Sequence, residues 1–224
     1  MLLPLSRVLK PDELTLVRTW LADAHFVEGR QSAGAVARRV KNNQELEGGT
    51  AAAAGLDRVV MGGLLRHPGY RAAAMPVHAA SPLYARYRSG MAYGDHLDDP
   101  VMGADGVKYR SDIAVTIFLC EPHEYAGGEL VIRSPAADQE VKLPAGDALL
   151  YPAGSIHHVN PVTQGERLVA LTWVQSLIRD PGQRELLYGL NGAREKLLQR
   201  APDAAETAQV NAAYLNLIRM WSDL

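Results

Sequence analysis

The chain has 224 residues, 47% of them hydrophobic, and this size and composition suit one large globular domain or one domain with a small appendage. The formal net charge of -2 provides no basic field for binding nucleic acid, and no apolar run is long enough to span a bilayer. The N-terminus does not read as a signal peptide, and the single cysteine, Cys120, excludes an internal disulfide and a cysteine-rich zinc site, so we expect a protein of the reducing cytoplasm.

Helical patterns dominate the first third of the chain. Pro11, followed by Asp12 and Glu13, predicts a helix start, because proline fits the first turn and carboxylates favour the positive end of the helix dipole. Residues 31–50 are polar and irregular. Residues 51–65 predict a second, mostly apolar helix that stops near Pro68.

From about Met75 the pattern changes to short runs rich in β-branched and aromatic residues, separated by glycine and proline. The predicted strands are 83–88, 113–119, 129–132, 139–143, 148–151, 157–159 and 167–175, with a turn at 161–165. Closely spaced short strands in one block favour a mainly β fold with flanking helices, built as a double-sheet barrel or jelly roll, over a βαβ fold.

After residues 179–182 the chain becomes helical again, with apolar residues at three- and four-residue steps as far as Trp221. We predict a main domain over 1–178 and a small helical region over 179–224. The apolar stripe of this region could pack on the barrel or on a second subunit, so a homo-oligomer is one of two arrangements that the sequence allows.

The residues best suited to chemistry are His96 and Asp98, which stand two apart and therefore point to the same side of extended chain. An acidic loop with a solvated histidine is the simpler interpretation of this pair alone. One more histidine would complete the 2-His-1-carboxylate set of non-haem Fe(II) oxygenases. His157 and His158 are the candidates, and strand parity allows only one of them to face inward without deciding which.

Arg167 and Tyr87 form a second polar pair. If the chain returned antiparallel after His157, Arg167 would come to lie beside the metal cavity, where a buried arginine could hold a carboxylate through two parallel hydrogen bonds. Tyr87 could donate its phenol to the same carboxylate. Taken singly, each has a simpler interpretation, as an exposed strand arginine and a core aromatic.

Together these residues resemble a known family. The matching motifs are Tyr87-x-x-Gly90-x-x-Tyr93-x-x-His96-x-Asp98, Gly127-Gly128-Glu129-Leu130, Gly146-Asp147, Tyr151-Pro152, His157 and Arg167, with Lys41 to Gln44 upstream and 183–221 downstream. Over essentially its whole length the chain resembles an Fe(II)/2-oxoglutarate dioxygenase of the prolyl-4-hydroxylase superfamily. More narrowly it resembles the bacterial PKHD-type hydroxylases, which are named for an association with iron uptake.

The resemblance implies a double-stranded β-helix core and a hydroxylase that converts 2-oxoglutarate and O2 to succinate and CO2. It implies Fe(2+) on His96, Asp98 and His157, and 2-oxoglutarate on Arg167 with Tyr87 as its partner. L-ascorbate would restore oxidised iron, and the substrate would be a small molecule or a peptidyl side chain. His158 stands at a variable position and is left outside the ligand set.

Two other functions stay open on the sequence. A cupin-like barrel could bind iron without catalysis and report it to a partner, although such a sensor has no need of a buried group that holds a carboxylate. A zinc or manganese enzyme of hydrolysis or isomerisation could use the same ligand types. Residues 31–50 and 99–109 are long and polar, and we predict a mobile lid there.

Overall fold

The computed structural model of the protein describes residues 1–49, 51–103, 106 and 108–223. Its α-helices are α1 (Pro11–Ala22), α2 (Ala51–Arg66), α3 (Pro68–Ala74), α4 (Pro181–Arg200) and α5 (Ala205–Trp221). Two short 3₁₀ helices span Gly29–Ser32 and Ala37–Arg39. The strands are β1 (Leu3–Leu5), β2 (Phe26–Glu28), β3 (Lys41–Asn42), β4 (Gln44–Leu46), β5 (Pro76–Ala79), β6 (Leu83–Arg88), β7 (Ala92–His96), β8 (Val101–Met102), β9 (Tyr109–Arg110), β10 (Ile113–Phe118), β11 (Tyr125–Gly127), β12 (Leu130–Ile132), β13 (Gln139–Val141), β14 (Ala148–Pro152), β15 (His157–Val159) and β16 (Val162–Ser176).

Two antiparallel sheets build the core. The larger has the order β1-β14-β10-β16-β6-β4-β2, with β5 and β11 also pairing with β16, and the smaller has the order β13-β12-β15-β7-β3. Strands β8 and β9 form a separate two-stranded ladder. This arrangement confirms the predicted jelly-roll core with flanking helices, and β7 and β15 lie side by side in the smaller sheet.

The larger sheet is covered on both faces, which explains why all six residues of β10 are buried and all except Thr116 are apolar. Val115 and Ile117 point to a cluster that the helices complete with Leu56 and Val60. Ala114 and its neighbours of the same parity point to the other side, where residues of both sheets pack together. A strand buried on both faces has no polar side, so its sequence does not alternate.

Short-range signals set the helix starts. Pro11 begins α1, and the Glu13 carboxylate accepts the Lys10 N–H at 2.9 Å. The Asp180 carboxylate accepts the Gln183 N–H at 2.8 Å before α4. Both contacts satisfy backbone groups that have no partner in the first turn of a helix.

The C-terminal helices form a hairpin that docks on the barrel. Leu187 is 1% exposed, and the buried Arg184 donates to the carbonyls of Ile178 and Arg179 at 2.7 Å each. Arg110 donates to Asp223 at 2.9 Å and ties the end of the hairpin to the strands. Packing on the barrel is therefore one role of this region. The division of the chain at 178 and the homo-oligomer both stay predictions.

The predicted end of the second helix near Pro68 is confirmed, since α2 ends at Arg66, and Pro68 itself begins α3, as prolines do in first turns. Two other local predictions were wrong. The predicted turn at 161–165 is mostly strand, because β16 begins at Val162 and pairs there with β11. Residues 31–50 include β3, β4 and parts of two 3₁₀ helices, while the predicted lid at 99–109 lies partly outside the described residues. Among the described helices, none is both long and apolar enough to cross a membrane.

Candidate metal centre and the cavity beside it

Three potential metal ligands meet at one end of the smaller sheet. Strand β15 runs antiparallel to β7 with His157 opposite His96, and Asp98 follows two residues after β7. One ligand atom from each of His96, Asp98 and His157 lies within 4.8 Å of the others, and His157 Nε2 is 3.9 Å from Asp98 Oδ1. Two imidazoles and one carboxylate on one side of an open space are the donor set of a facial triad.

Backbone carbonyls orient both imidazoles. His96 Nδ1 lies 2.8 Å from the Gly94 carbonyl oxygen, and His157 Nδ1 lies 2.9 Å from that of Ser155. Since a carbonyl only accepts, each Nδ1 carries the proton and each Nε2 keeps a free lone pair. Tyr93 stacks on the His96 ring, with centroids 3.6 Å apart. Both rings are thus held with Nε2 available to a metal.

The site is electrostatically incomplete. Burial lowers the pKa of His96 to about 3, helped by the neighbouring His157, and burial raises the pKa of Asp98 against the opposing influence of His157. Asp98 Oδ2 is buried without a hydrogen-bond partner among the described residues. A buried carboxylate oxygen with no partner is costly, and a bound cation would remove that cost. The donor set therefore fits a divalent metal.

His158 faces the opposite side of the strand. His157 is 4% exposed and lines the cavity, whereas His158 Nδ1 lies 2.9 Å from Asp95 on the outer face of the sheet. Its Nε2 lies 3.1 Å from the Asn160 side-chain oxygen. Parity along β15 thus separates the two histidines, and His158 is held among surface groups.

A cavity of about 400 Å³ lies between the sheets and includes the triad in its wall. Eight buried side-chain polar atoms lack a hydrogen-bond partner within the described part of the chain. Five of these eight belong to residues that line this cavity, namely Asn43, Asp98, Thr116, Arg167 and Trp173. Buried polar groups are normally paired, so their concentration here marks the wall as built for polar ligands.

Arg167 lies deep in this wall and is 1% exposed. Strand pairing places it opposite Tyr87, and its guanidinium carbon is 5.1 Å from the Tyr87 ring centre and 5.8 Å from that of Phe118. Its Nε has no hydrogen-bond partner in the described residues. Burial raises the pKa of Tyr87 to about 12 despite the nearby Arg167, so the phenol remains protonated and able to donate. Arg167 and Tyr87 together can hold a carboxylate.

Several residues of the cavity wall have no individual role that sequence patterns alone indicate. Tyr93 lay within the matching motif, but its stacking on His96 appears only in three dimensions. Lys41, Asn43 and Glu45 are each less than 7% exposed although they lie in a segment interpreted as irregular. Five consecutive polar residues at 41–45 were the available signal, because burial of such a run requires an enclosed polar site.

Comparisons with known proteins agree with this geometry. Residues 82–175 match the 2OG-Fe(II) oxygenase superfamily, and residues 181–223 match the PKHD-type hydroxylase C-terminal domain. The chain is 47% identical over 224 residues to a PKHD-type hydroxylase of Thioalkalivibrio sulfidiphilus and 41% identical over 225 residues to one of Stenotrophomonas maltophilia, with all of each chain covered.

Solved structures share the fold at low sequence identity. A prolyl hydroxylase of Trichoplax adhaerens, in complex with a peptide fragment of hypoxia inducible factor, has a TM-score of 0.55 at 18% identity and covers 83% of this chain and 86% of its own. HygX of Streptomyces hygroscopicus, with nickel, 2-oxoglutarate and hygromycin B bound, has a TM-score of 0.51 at 15% identity and covers 79% and 84%.

Proposed function

Because the chain belongs to the PKHD-type hydroxylases of the 2-oxoglutarate–Fe(II) oxygenase superfamily, and is therefore a 2-oxoglutarate-dependent dioxygenase, we propose which residues do its chemistry and on what it acts. His96, Asp98 and His157 bind Fe(II). Arg167, with Tyr87, binds the distal carboxylate of 2-oxoglutarate. The observation that carries both assignments is that Asp98 Oδ2 and Arg167 Nε are buried in one cavity wall without partners among the described residues.

When bound, Fe(II) and 2-oxoglutarate supply the O2-dependent oxidation of a C–H bond, with succinate and CO2 as co-products. The protein's own residues prepare the site for this. The Gly94 and Ser155 carbonyls keep the two imidazoles in the tautomer that binds metal. The guanidinium of Arg167 fixes the co-substrate at one end, and the apolar surroundings of the cavity limit access by water.

The substrate is a peptidyl or amino-acid group or a siderophore-like small molecule, and the enzyme acts in iron uptake in the cytoplasm. Ascorbate restores iron that oxidises between turnovers. Two proteins of this fold, a prolyl hydroxylase in complex with a peptide fragment and HygX with hygromycin B bound, support a peptidyl and a small-molecule substrate respectively. The role in iron uptake is inferred from the family resemblance.

The test is succinate formation from 2-oxoglutarate after anaerobic loading with Fe(II), measured before and after admission of O2 with peptide and siderophore pools. We expect O2-dependent succinate in the wild type. The Asp98→Ala variant should lose both iron binding and turnover, because two imidazoles alone provide an incomplete set of ligands. Asp95→Ala removes a nearby outward-facing carboxylate and is the matched control.

Full turnover in Asp98→Ala would show that the ligand set is misassigned. Iron binding without succinate across all pools would instead favour a protein that binds iron without catalysis. Selective binding of zinc over Fe(II), with hydrolase activity, would contradict the assignment of the metal.

A further inference from the structure

The segment Lys41 to Glu45 crosses from one sheet to the other at the edge of the cavity. Lys41 belongs to β3 and pairs with Tyr93 of the smaller sheet, whereas Glu45 belongs to β4 and pairs with Ala85 of the larger sheet. The side chains of Lys41 and Glu45, at the two ends of the segment, contact each other in the cavity wall. They form an ion pair between Lys41 Nζ and Glu45 Oε1.

This ion pair is buried and lies in the cavity wall. Lys41 and Glu45 are each 6% exposed, and both line the cavity. Lys41 Nζ also donates to Ser32 Oγ at 2.7 Å. An ammonium group has three N–H donors, so one is left without an acceptor among the described residues. Glu45 Oε2 likewise has no donor in the described part of the chain.

The bound metal and co-substrate do not need this pair. The charges of Fe(II), Asp98, 2-oxoglutarate and Arg167 cancel, and the Lys41–Glu45 pair is itself neutral. A buried ion pair is also rarely required for stability, since apolar side chains of similar volume usually serve as well. The remaining donor and acceptor are therefore available to the substrate.

We propose that Lys41 and Glu45 bind the α-amino-acid head group of the substrate, an inference that rests on the proposed function. The substrate carboxylate accepts the free N–H of Lys41, and the substrate ammonium donates to Glu45 Oε2. A zwitterion keeps the buried site neutral, whereas a lone cation or a lone anion would leave one charge uncompensated. The substrate class is thus a free amino acid rather than a residue within a peptide chain.

The test is calorimetric titration of the protein with each protein L-amino acid, under nitrogen with Mn(II) and 2-oxoglutarate present so that no turnover occurs. We expect at least one free amino acid to bind, and its N-acetyl and amide derivatives to bind at least about tenfold more weakly, as for the loss of one charge-assisted hydrogen bond. This comparison needs no variant.

The Lys41→Met/Glu45→Met double variant separates recognition from a structural role. It removes both charges and keeps side-chain volume, so the connection between the sheets should persist. We expect amino-acid affinity to fall at least about tenfold while 2-oxoglutarate affinity stays within about twofold. Arg18→Met/Glu124→Met removes a more exposed ion pair outside the cavity lining and should leave both affinities unchanged.

Three results would overturn the inference: no free amino acid binds, the blocked derivatives bind as well as the free ones, or the double variant retains wild-type affinity. Mn(II) and 2-oxoglutarate are titrated in the same samples. Their failure to bind the wild type would contradict the proposed function, while the amino-acid titration would still decide the role of Lys41 and Glu45.

Discussion

Replacing Arg167 by Met should remove 2-oxoglutarate binding without unfolding the protein. The guanidinium is 1% exposed, and its described contacts are the Tyr87 and Phe118 rings and the nearby Tyr125 hydroxyl rather than a carboxylate. A buried cation without an anionic partner stabilises the ligand-free protein little. Methionine fills much of the same space, so we expect the free energy of unfolding of the ligand-free protein to change by about 1 kcal/mol or less.

The effect on the affinity for 2-oxoglutarate should be much larger than the effect on stability. A hydrogen bond to a charged group contributes about 1.5–3 kcal/mol, so two parallel bonds to one carboxylate contribute about 3–6 kcal/mol. Their loss should raise the Kd of 2-oxoglutarate roughly 100- to 20,000-fold. At a concentration of about 100 times the wild-type Kd, the ligand stabilises the wild type by about 2.7 kcal/mol and the variant by at most about 0.4 kcal/mol.

Thermal unfolding with and without 2-oxoglutarate, in the presence of Mn(II), measures both the stability of the ligand-free protein and the stabilisation by the ligand. For a chain of this size the wild-type Tm should rise by about 5–11 °C and that of Arg167→Met by about 2 °C or less. Arg88→Met is the control, because Arg88 forms an exposed ion pair with Glu166 and should leave the ligand-induced shift intact. A full shift in Arg167→Met would place the co-substrate elsewhere, and a large loss of ligand-free stability would make the arginine structural.

Three further predictions concern stability. Because the pKa of His96 is lowered to about 3, the unfolded chain binds this proton at a higher pH than the folded chain does. The free energy of unfolding of the metal-free protein, measured in urea, should therefore fall as the pH is lowered from about 6.5 towards 3. The same dependence of this free energy on pH in His96→Gln would contradict the prediction. Gly127→Ala should lower the free energy of unfolding, measured by chemical denaturation, by about 2–4 kcal/mol, because φ is +69° and the added Cβ would lie 2.1 Å from the Pro161 carbonyl oxygen. Gly154→Ala is the control, since a Cβ added there meets nothing within 4 Å. A chain ended after residue 178 should lose cooperative unfolding because Leu187 and Arg184 no longer cover the barrel, and a cooperative transition would instead support an independent domain over 1–178.

Strands with strong local signals were predictable. The predicted strands at 83–88 and 157–159 have the bounds of β6 and β15, and the apolar run from 113 differs from β10 by one residue. Among the strands of two or three residues, β12, β13 and β15 were predicted, whereas β1–β4, β8, β9 and β11 were not, because so short a stretch shows little alternation. β1 contains a proline and is made a strand by its pairing with β14 at the edge of the sheet.

The site shows the same division between local and distant information. The spacing of His96 and Asp98 could be interpreted locally, because two residues apart on extended chain means one face. The expected antiparallel return after His157 does not occur, because β16 crosses to the larger sheet instead of pairing with β15. Arg167 still lies in the cavity wall, since β16 pairs there with β6 and places Arg167 opposite Tyr87. The choice between His157 and His158 depended on which face of β15 meets the cavity. That face is set by pairing with β7, a contact that residues 157–159 do not encode by themselves.

Polar residues at 41–45 are the clearest case of information that the sequence carries only in part. A run of lysine, amides and glutamate normally indicates a solvated loop, and only the crossing between two sheets buries its alternate residues Lys41, Asn43 and Glu45. Two short strands hold the crossing at its ends, so these three side chains line the cavity that also contains the triad and Arg167. A fold that encloses so many polar groups without pairing all of them is preorganised for ligands that supply the missing partners, and the cavity's function follows from that deficit.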